Sequence, residues 1–361
     1  MTKKRESTDL KLKLRARRLL WSMGYYCPLE VDLTHYDYSD SKLKKWTLTD
    51  IDVLGIKFEN DLSSKTVIVD CKGGEESSPN RIFWLRGVMD FFGADEGYFI
   101  KERIHEHGRS IAPRLRIRTI DSAGLEKLEQ QLSLDKIKIN LLDERKFTET
   151  QSLWGILVPK SEKATENQLK VKKVYQYLKY FYWFIEEYRN IQNIIDRFQM
   201  IANILTPSEK RDKYLVYVGL IRFSLSLLKA ANIIVSKNIL EVPAQFKQYV
   251  FGGPFFLKER EHFIEMLSKI SDKKIALEPP YFKDLLETIN RLVKHPQFAK
   301  HIPRYLEAVM LEHLLGSKTS LQEIFGNDYS VDSIVLSKQI GEFFVKAAGL
   351  NTTFLSDLMS L

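Results

Sequence analysis

The chain has 361 residues, of which 44% are hydrophobic and 28% charged, with a formal net charge of +8 at pH 7. This length suits about two or three domains with hydrophobic cores, and the composition excludes disordered, collagen-like and coiled-coil chains. Only Cys27 and Cys71 are available to form disulfides, which indicates a reducing, cytoplasmic location and excludes a disulfide-stabilised secreted fold.

The first part of the chain alternates helical and strand patterns. A helix over residues 9–23 is followed by strands near 29–33, 48–56 and 66–72, a helix over 81–92, strands at 97–101 and 115–120, and a helix at 123–132. Glu59-Asn60-Asp61 predicts a hairpin turn between the second and third strands. The pattern predicts an α+β (α/β) domain over residues 1–135, in which helices cover a central mixed sheet.

Strand patterns end before the second part of the chain, where we expect a linker at 136–163 and an all-helical domain over 164–361. One helical pattern runs through 164–205. Thr206-Pro207-Ser208-Glu209 then predicts a capping box that opens a second long helix, ending near 236. Its apolar stretch, residues 214–235, contains Arg222 and Lys229, which favours a buried helix over a membrane span.

Acidic and basic residues follow each other at the end of the predicted strand 66–72. Because side chains alternate along a strand, Asp70 and Lys72 share a face, whereas Cys71 points into the core. Hairpin pairing brings Asp52 of the neighbouring strand beside Asp70, and spacing alone leaves Asp50 as an alternative to Asp52. Two carboxylates and a lysine at one sheet edge are suited to metal-dependent phosphodiester hydrolysis. A surface salt bridge at a strand end is the simpler alternative.

This arrangement resembles the PD-(D/E)xK nuclease superfamily, and within it the Mrr-type restriction endonuclease catalytic domain. The resemblance covers residues 9–132 and rests on Asp52, on Asp70-Cys71-Lys72 and on the basic helix that ends in Gly24-Tyr25. It extends to the helix and strand around residues 85–100, and to the strand and closing turn at 116–125. The resemblance implies a restriction-endonuclease-like fold, a nuclease that acts on DNA, and a role in prokaryotic defence or restriction.

The resemblance also implies a ligand set for Mg²⁺ or Mn²⁺. Asp52, Asp70 and the Cys71 main-chain carbonyl would bind the ion, and Lys72 would act on the nucleophilic water. The sequence departs from the family in two places: Mrr-type members often have Gln where this chain has Asp70, and the glutamate that many relatives carry on the first helix is missing from Leu12-Lys13-Leu14. Glu30 on the first strand is a weaker candidate to replace that glutamate.

Basic residues at three places are candidates for binding the nucleic-acid backbone. They are Lys11, Arg15 and Arg18 on the first helix, Arg114, Arg116 and Arg118, which alternate along a strand and would therefore share one face, and Lys170, Lys172 and Lys173 at the start of the helical domain. Each set is also compatible with an ordinary solvated surface. Most of the excess positive charge lies in residues 151–250, so we expect the helical domain to supply much of the affinity for a polyanion.

Three functions therefore remain open. The first is a metal-dependent DNA nuclease whose helical domain recognises substrate, dimerises, binds a partner protein or regulates activity. The second is a non-catalytic nucleic-acid-binding or assembly protein built on the same fold, and the third is a helical protein-interaction scaffold. The sequence does not distinguish DNA from RNA as the ligand, and it contains no Gly-rich phosphate loop or zinc-binding motif.

Overall fold

A computed structural model describes residues 2–39, 42–74, 77–134, 143–157, 164–271, 274–314, 316 and 319–361. The chain divides into two compact units. The first comprises Met1–Phe58, Ser64–Leu153 and Leu311–Tyr329, and the second comprises Glu59–Ser63, Trp154–Met310 and Ser330–Leu361. The sequence placed residues 311–329 in the helical domain, whereas the contacts group them with the first unit.

Five strands of the N-terminal half form one mixed sheet in the order β1-β2-β3-β4-β5. Their bounds are Leu29–Ser39 for β1, Lys42–Phe58 for β2, Ser64–Lys72 for β3, Glu96–Lys101 for β4 and Ile117–Asp121 for β5. Strands β1, β2 and β3 pair antiparallel, whereas β3, β4 and β5 pair parallel. This confirms the predicted α+β class with a mixed sheet. The hairpin between β2 and β3 turns where Glu59-Asn60-Asp61 predicted it.

Helices pack on both faces of the sheet because neighbouring residues of a strand point to opposite sides. On one face, a buried cluster joins α1 (Thr2–Ser22) and α4 (Ser122–Gln131) to the strands through Leu12, Ala16, Leu19, Leu20, Leu125, Val53, Val67, Val69, Cys71, Tyr98 and Ile100. On the other face, α2 (Ser78–Phe92) lies directly over Gly97 of β4, where a Cβ atom would meet the Met89 sulfur at 2.6 Å. A short α3 (Glu106–Ile111) follows β4.

The C-terminal region is mostly helical, as the sequence predicted. Its helices are α5 (Glu144–Leu157), α6 (Glu166–Lys179), α7 (Glu187–Gln199), α8 (Lys210–Asn238), α9 (Val242–Val250), α10 (Pro254–Ser271), α11 (Phe282–Lys294), α12 (Pro296–Ala299), α13 (Ile302–Leu314), α14 (Leu321–Phe325), α15 (Val331–Ala347) and α16 (Ser356–Met359). Helix α5 lies inside the span predicted as a linker, whose residues 136–142 and 158–163 fall outside the described residues.

Helix α8 is the apolar helix of this region. Within the described part of the chain it alone is long and apolar enough to cross a membrane, but 78% of its most apolar stretch is buried inside the protein. Such burial is expected for a helix at the centre of a helical core. The finding agrees with the sequence interpretation of residues 214–235.

Two details of the helical prediction are wrong. The pattern over residues 164–205 is not one helix, because the chain passes through a short 3-10 turn, Phe181–Trp183, between α6 and α7. The predicted capping box does not open α8 either. Glu209 is the N-cap residue, without a side-chain cap, and the Thr206 main-chain N–H donates to Asp212 at 3.0 Å. The Asp212 carboxylate therefore accepts the hydrogen bond that holds this turn.

Two helical glycines predict opposite effects of an added methyl group. In α8, a Cβ on Gly219 would lie 2.3 Å from the Phe198 ring of α7, so we expect Gly219→Ala to lower the free energy of unfolding by about 1–3 kcal/mol. In α2, Gly87 is exposed with open space around its Cβ position, and Gly87→Ala should raise this free energy by about 0.5–1 kcal/mol. Urea unfolding followed by circular dichroism measures both, and equal shifts of the same sign would contradict the packing described.

Candidate active site

The candidate site begins where the main-chain pairing of β2 and β3 ends. The last paired residues are Val53 and Val69. One step further, the Asp52 Oδ2 atom accepts the Cys71 main-chain N–H at 2.7 Å. The Asp52 carboxylate thus accepts a main-chain N–H group of β3 that no longer has a partner in the strand pairing with β2. This hydrogen bond orients the Asp52 side chain towards the end of β3. Asp52 is only 4% exposed.

Asp70 lies on β3, is 3% exposed and faces two cations. The Arg81 guanidinium of α2 donates to both of its carboxylate oxygens at 2.7 Å, and the same guanidinium lies 3.4 Å from the centre of the Trp84 ring. The Lys72 Nζ atom is 3.6 Å from Asp70 Oδ1 and 3.8 Å from Asp52 Oδ2. Lys72 therefore contacts both carboxylates, and it shares a strand face with Asp70, as the alternation along β3 predicted.

A second lysine reaches the site from α1. The Lys13 Nζ atom is 2.9 Å from Asp52 Oδ1 and 3.3 Å from Glu30 Oε1. Leu12 and Ala16 bury one face of α1 against the sheet, and the Asp9 carboxylate accepts the Gly73 main-chain N–H at 3.1 Å. These contacts fix the helix beside the end of β3, so that Lys13 points at Asp52.

Burial and neighbouring charges shift the pKa values of this group. Burial raises the pKa of Asp52 above its ordinary value, although the charges of Lys13 and Lys72 act in the opposite direction. Burial also disfavours the charged form of Lys13, but Asp52 and Glu30 outweigh it and raise the Lys13 pKa. Burial raises the pKa of the Cys71 thiol as well. At neutral pH, Lys13 is therefore an ammonium ion and Cys71 a neutral thiol.

The structure distinguishes the two aspartates that the sequence left as alternatives. Asp50 pairs with Asp32 across β1 and β2 and is exposed, whereas Asp52 is buried beside Lys13 and Lys72. The Cys71 side chain belongs to the hydrophobic core, so its main-chain carbonyl is the part of the residue suited to bind an ion. Glu30 is half-exposed and contacts the site through Lys13.

The fit of a divalent ion can be judged from the oxygen atoms present. Within the described ranges, no group of three or more His, Cys, Asp and Glu side chains is placed to hold a metal ion. Asp52, Asp70 and the Cys71 carbonyl do supply hard oxygen atoms, and Mg²⁺ is commonly held by one or two carboxylates and completed by water. These three groups fit one divalent ion. The ion would share the carboxylate oxygens with the side chains of Lys13, Lys72 and Arg81.

The predicted basic surfaces are only partly present. On α1, Lys11 is exposed, but Arg15 forms a two-pronged ion pair with Glu129 of α4 at 2.7–3.1 Å, and Arg18 is half-buried. The predicted stripe is therefore not a free cationic face, because Glu129 neutralises its central residue.

The prediction that Arg114, Arg116 and Arg118 share one strand face is wrong. Strand β5 begins at Ile117, Arg114 lies in a 3-10 turn, and Arg116 has a left-handed φ of 59°. Pro113 lies at the start of the 3-10 turn Ala112–Leu115, where its fixed φ suits the turn, so the chain joins the sheet only at Ile117, in the edge strand β5. Arg118 is 60% exposed and lies 3.3 Å from Glu96.

The basic residues of α6 remain at the surface of the second unit. Lys173 is exposed and Lys172 half-exposed, whereas Lys170 pairs with Glu166 at 2.7 Å. Lys172 and Lys173 are therefore the better candidates for phosphate contacts.

Sequence reasoning missed Lys13 and Arg81. A lysine on a basic helix is usually solvated, and only the buried neighbours Leu12 and Leu14 could have indicated an inward position. Arg81 begins the apolar pattern of α2, three residues before Trp84, and this spacing could have predicted the stacking that holds it.

Comparison of the chain with models of protein families, with curated proteins and with solved structures gave no match.

The pair Asp70–Arg81 predicts a measurable coupling energy. Both side chains are less than a fifth exposed, so a double-mutant cycle of Asp70→Asn and Arg81→Gln should give about 2 kcal/mol of coupling in the free energy of unfolding. Arg86–Asp90, an exposed pair on the same helix, is the matched control and should give about 0.5 kcal/mol or less. Equal couplings in urea unfolding would show that burial adds nothing to the first pair.

Proposed function

We propose that this chain is a metal-dependent nuclease that hydrolyses phosphodiester bonds, with DNA as its substrate. The observation that carries the proposal is the convergence of Asp52, Asp70 and Lys72 at one end of β3, with both carboxylates buried. Buried carboxylates are costly unless they are paired or bind a metal ion. Lys72, which is 26% exposed, is the member of the group that reaches solvent.

A restriction-endonuclease-like fold of the first unit is part of this proposal. In support, α1 leads into the antiparallel β1, β2 and β3, and α2 connects β3 to the parallel β4. The site residues lie on β2 and β3, where the resemblance to the PD-(D/E)xK superfamily implies them. The proposal therefore rests on motif and placement together.

Each residue of the site has a separate role in the proposed reaction. Asp52, Asp70 and the Cys71 carbonyl would hold a divalent ion, which when bound would polarise the phosphate and lower the pKa of a bound water. Lys72, close to both carboxylates, would orient the attacking water or stabilise the negative charge that develops on the phosphate oxygens. Arg81 fixes the orientation of Asp70 through its two hydrogen bonds.

Single substitutions test the proposal against a control on the same strand. Asp52→Asn, Asp70→Asn and Lys72→Met should each reduce Mg²⁺- or Mn²⁺-dependent cleavage by about 10²–10³-fold, because each removes a ligand or the charge that stabilises the transition state. Asp50→Asn should cleave like the wild type, since Asp50 is exposed and outside the group. Cleavage is measured on duplex, single-stranded and branched DNA and on RNA. Absence of cleavage on all four, or a loss specific to Asp50→Asn, would contradict the proposal.

A non-catalytic nucleic-acid-binding protein is the second candidate. It is favoured by the cations that already occupy the carboxylates: Lys13 at Asp52, and Arg81 at both oxygens of Asp70. This alternative predicts binding that is independent of divalent ions and unaffected by Asp70→Asn. If cleavage requires a divalent ion and is lost with Asp70→Asn, the protein is a nuclease and the second candidate is excluded.

The surface lysines in the middle of α6 are expected to supply part of the affinity for DNA. Each lysine that contacts a phosphate contributes about −0.9 to the slope of log K against log salt, so Lys172→Gln with Lys173→Gln should flatten this slope accordingly. Lys346→Gln is the control, because Lys346 is exposed but already paired with Asp284 at 2.7 Å. Fluorescence anisotropy on a labelled duplex at several salt concentrations gives the slopes. An unchanged slope for the α6 variant would exclude these lysines from the interface.

A further inference from the structure

Lys13 lies between two carboxylates and is largely removed from solvent. Its Nζ atom is 2.9 Å from Asp52 Oδ1 and 3.3 Å from Glu30 Oε1, and its side chain is 13% exposed. Most lysines keep the ammonium group in water. An ammonium ion enclosed by two carboxylates occupies the kind of position that a metal cation takes between the same ligands.

Two features of Glu30 place its carboxylate beside the Lys13 ammonium group. Its φ is 53°, in the left-handed region that non-glycine residues adopt only when their surroundings enforce it. Its second carboxylate oxygen lies 3.5 Å from Gln151 Nε2 of α5. The backbone conformation and the contact with Gln151 together keep the Glu30 carboxylate beside Lys13.

The two oxygens of Asp52 serve different neighbours. Oδ1 contacts Lys13, whereas Oδ2 accepts the Cys71 N–H and lies on the side of Lys72, which also contacts Asp70. Asp52 is therefore a bridging carboxylate with one cation already bound on its Oδ1 side.

The formal charges of the group balance without a metal: three carboxylates, those of Asp52, Asp70 and Glu30, face three cationic side chains, those of Lys13, Lys72 and Arg81. A divalent ion beside Asp70 would give the site a net positive formal charge, which favours an anionic phosphodiester. A second ion at Asp52 Oδ1 would lie next to the Lys13 ammonium in a buried setting, where like charges repel strongly.

We propose that Lys13 takes the place of a second divalent ion between Asp52 and Glu30, so that the site binds a single ion through Asp52, Asp70 and the Cys71 carbonyl. The inference rests on the proposed function, because it assumes that these three groups bind a divalent ion. Lys13 acts here as a fixed cation and positions Asp52. In two-metal sites, by comparison, ions about 3.5–4 Å apart clamp the reacting phosphate.

Counting bound Mn²⁺ tests the inference without any measurement of cleavage. Calorimetric titration of the full chain, checked by the electron paramagnetic resonance signal of free Mn²⁺, should give one ion for the wild type and two for Lys13→Met. Lys13→Met combined with Glu30→Gln should return the count to one, because the second position loses a ligand. Lys65→Met is the matched control, since Lys65 pairs with Glu96 at 3.2 Å on the same sheet, and it should keep one ion.

Each outcome decides between the inference and the proposed function. Two ions in the wild type, or only one ion in a folded Lys13→Met, overturn the inference and leave the nuclease proposal intact. No bound ion in either protein overturns the ligand set of the proposed function itself. If circular dichroism shows that Lys13→Met is unfolded, Glu30→Gln alone decides, because it keeps Lys13. It should bind one ion with wild-type affinity, and a weakened affinity would make Glu30 a ligand and overturn the inference.

Discussion

The first unit depends on the compensation of two buried carboxylates at the end of β3. Asp52 and Asp70 are nearly inaccessible, and leaving either without a partner would cost several kcal/mol. Their counterions come from three elements: Lys13 from α1, Lys72 from β3 and Arg81 from α2. The same ion pairs that neutralise the carboxylates therefore attach α1 and α2 to the end of β3. A substitution that changes the charge of the site is expected to disturb the packing of these helices as well.

Local patterns predicted the strands and the proximity of Asp52 to Asp70, because alternation along a strand and a tight turn decide them within a few residues. The hairpin of β2 and β3 follows from Glu59-Asn60-Asp61, and it alone brings Asp52 near Asp70. Lys13 and Arg81 were missed because their partners are distant in the sequence, and a charged residue on a helix is normally solvated. The Arg114–Arg118 alternation failed because Pro113 lies at the start of a 3-10 turn ahead of β5, so Arg114 is outside the strand and Arg116 has a left-handed φ.

Both units contain paired and exposed cations, but the cations of the candidate site are drawn into the fold. Lys13 pairs with Asp52 and Arg81 with Asp70. Lys172 and Lys173 of α6, by contrast, lie at or near the surface. Under the proposed function, the sheet unit would carry the chemistry and these lysines would contribute long-range attraction to a polyanion.

We propose that Asp52, Asp70 and the Cys71 carbonyl together bind one divalent ion. The most direct test is a crystal of the full chain grown with Mn²⁺ and measured near the manganese absorption edge. We expect a single anomalous peak within bonding distance of these three groups, with Lys13 still between Asp52 and Glu30. A peak between Asp52 and Glu30, or no peak beside Asp70 in a crystal with ordered Mn²⁺ elsewhere, would contradict it.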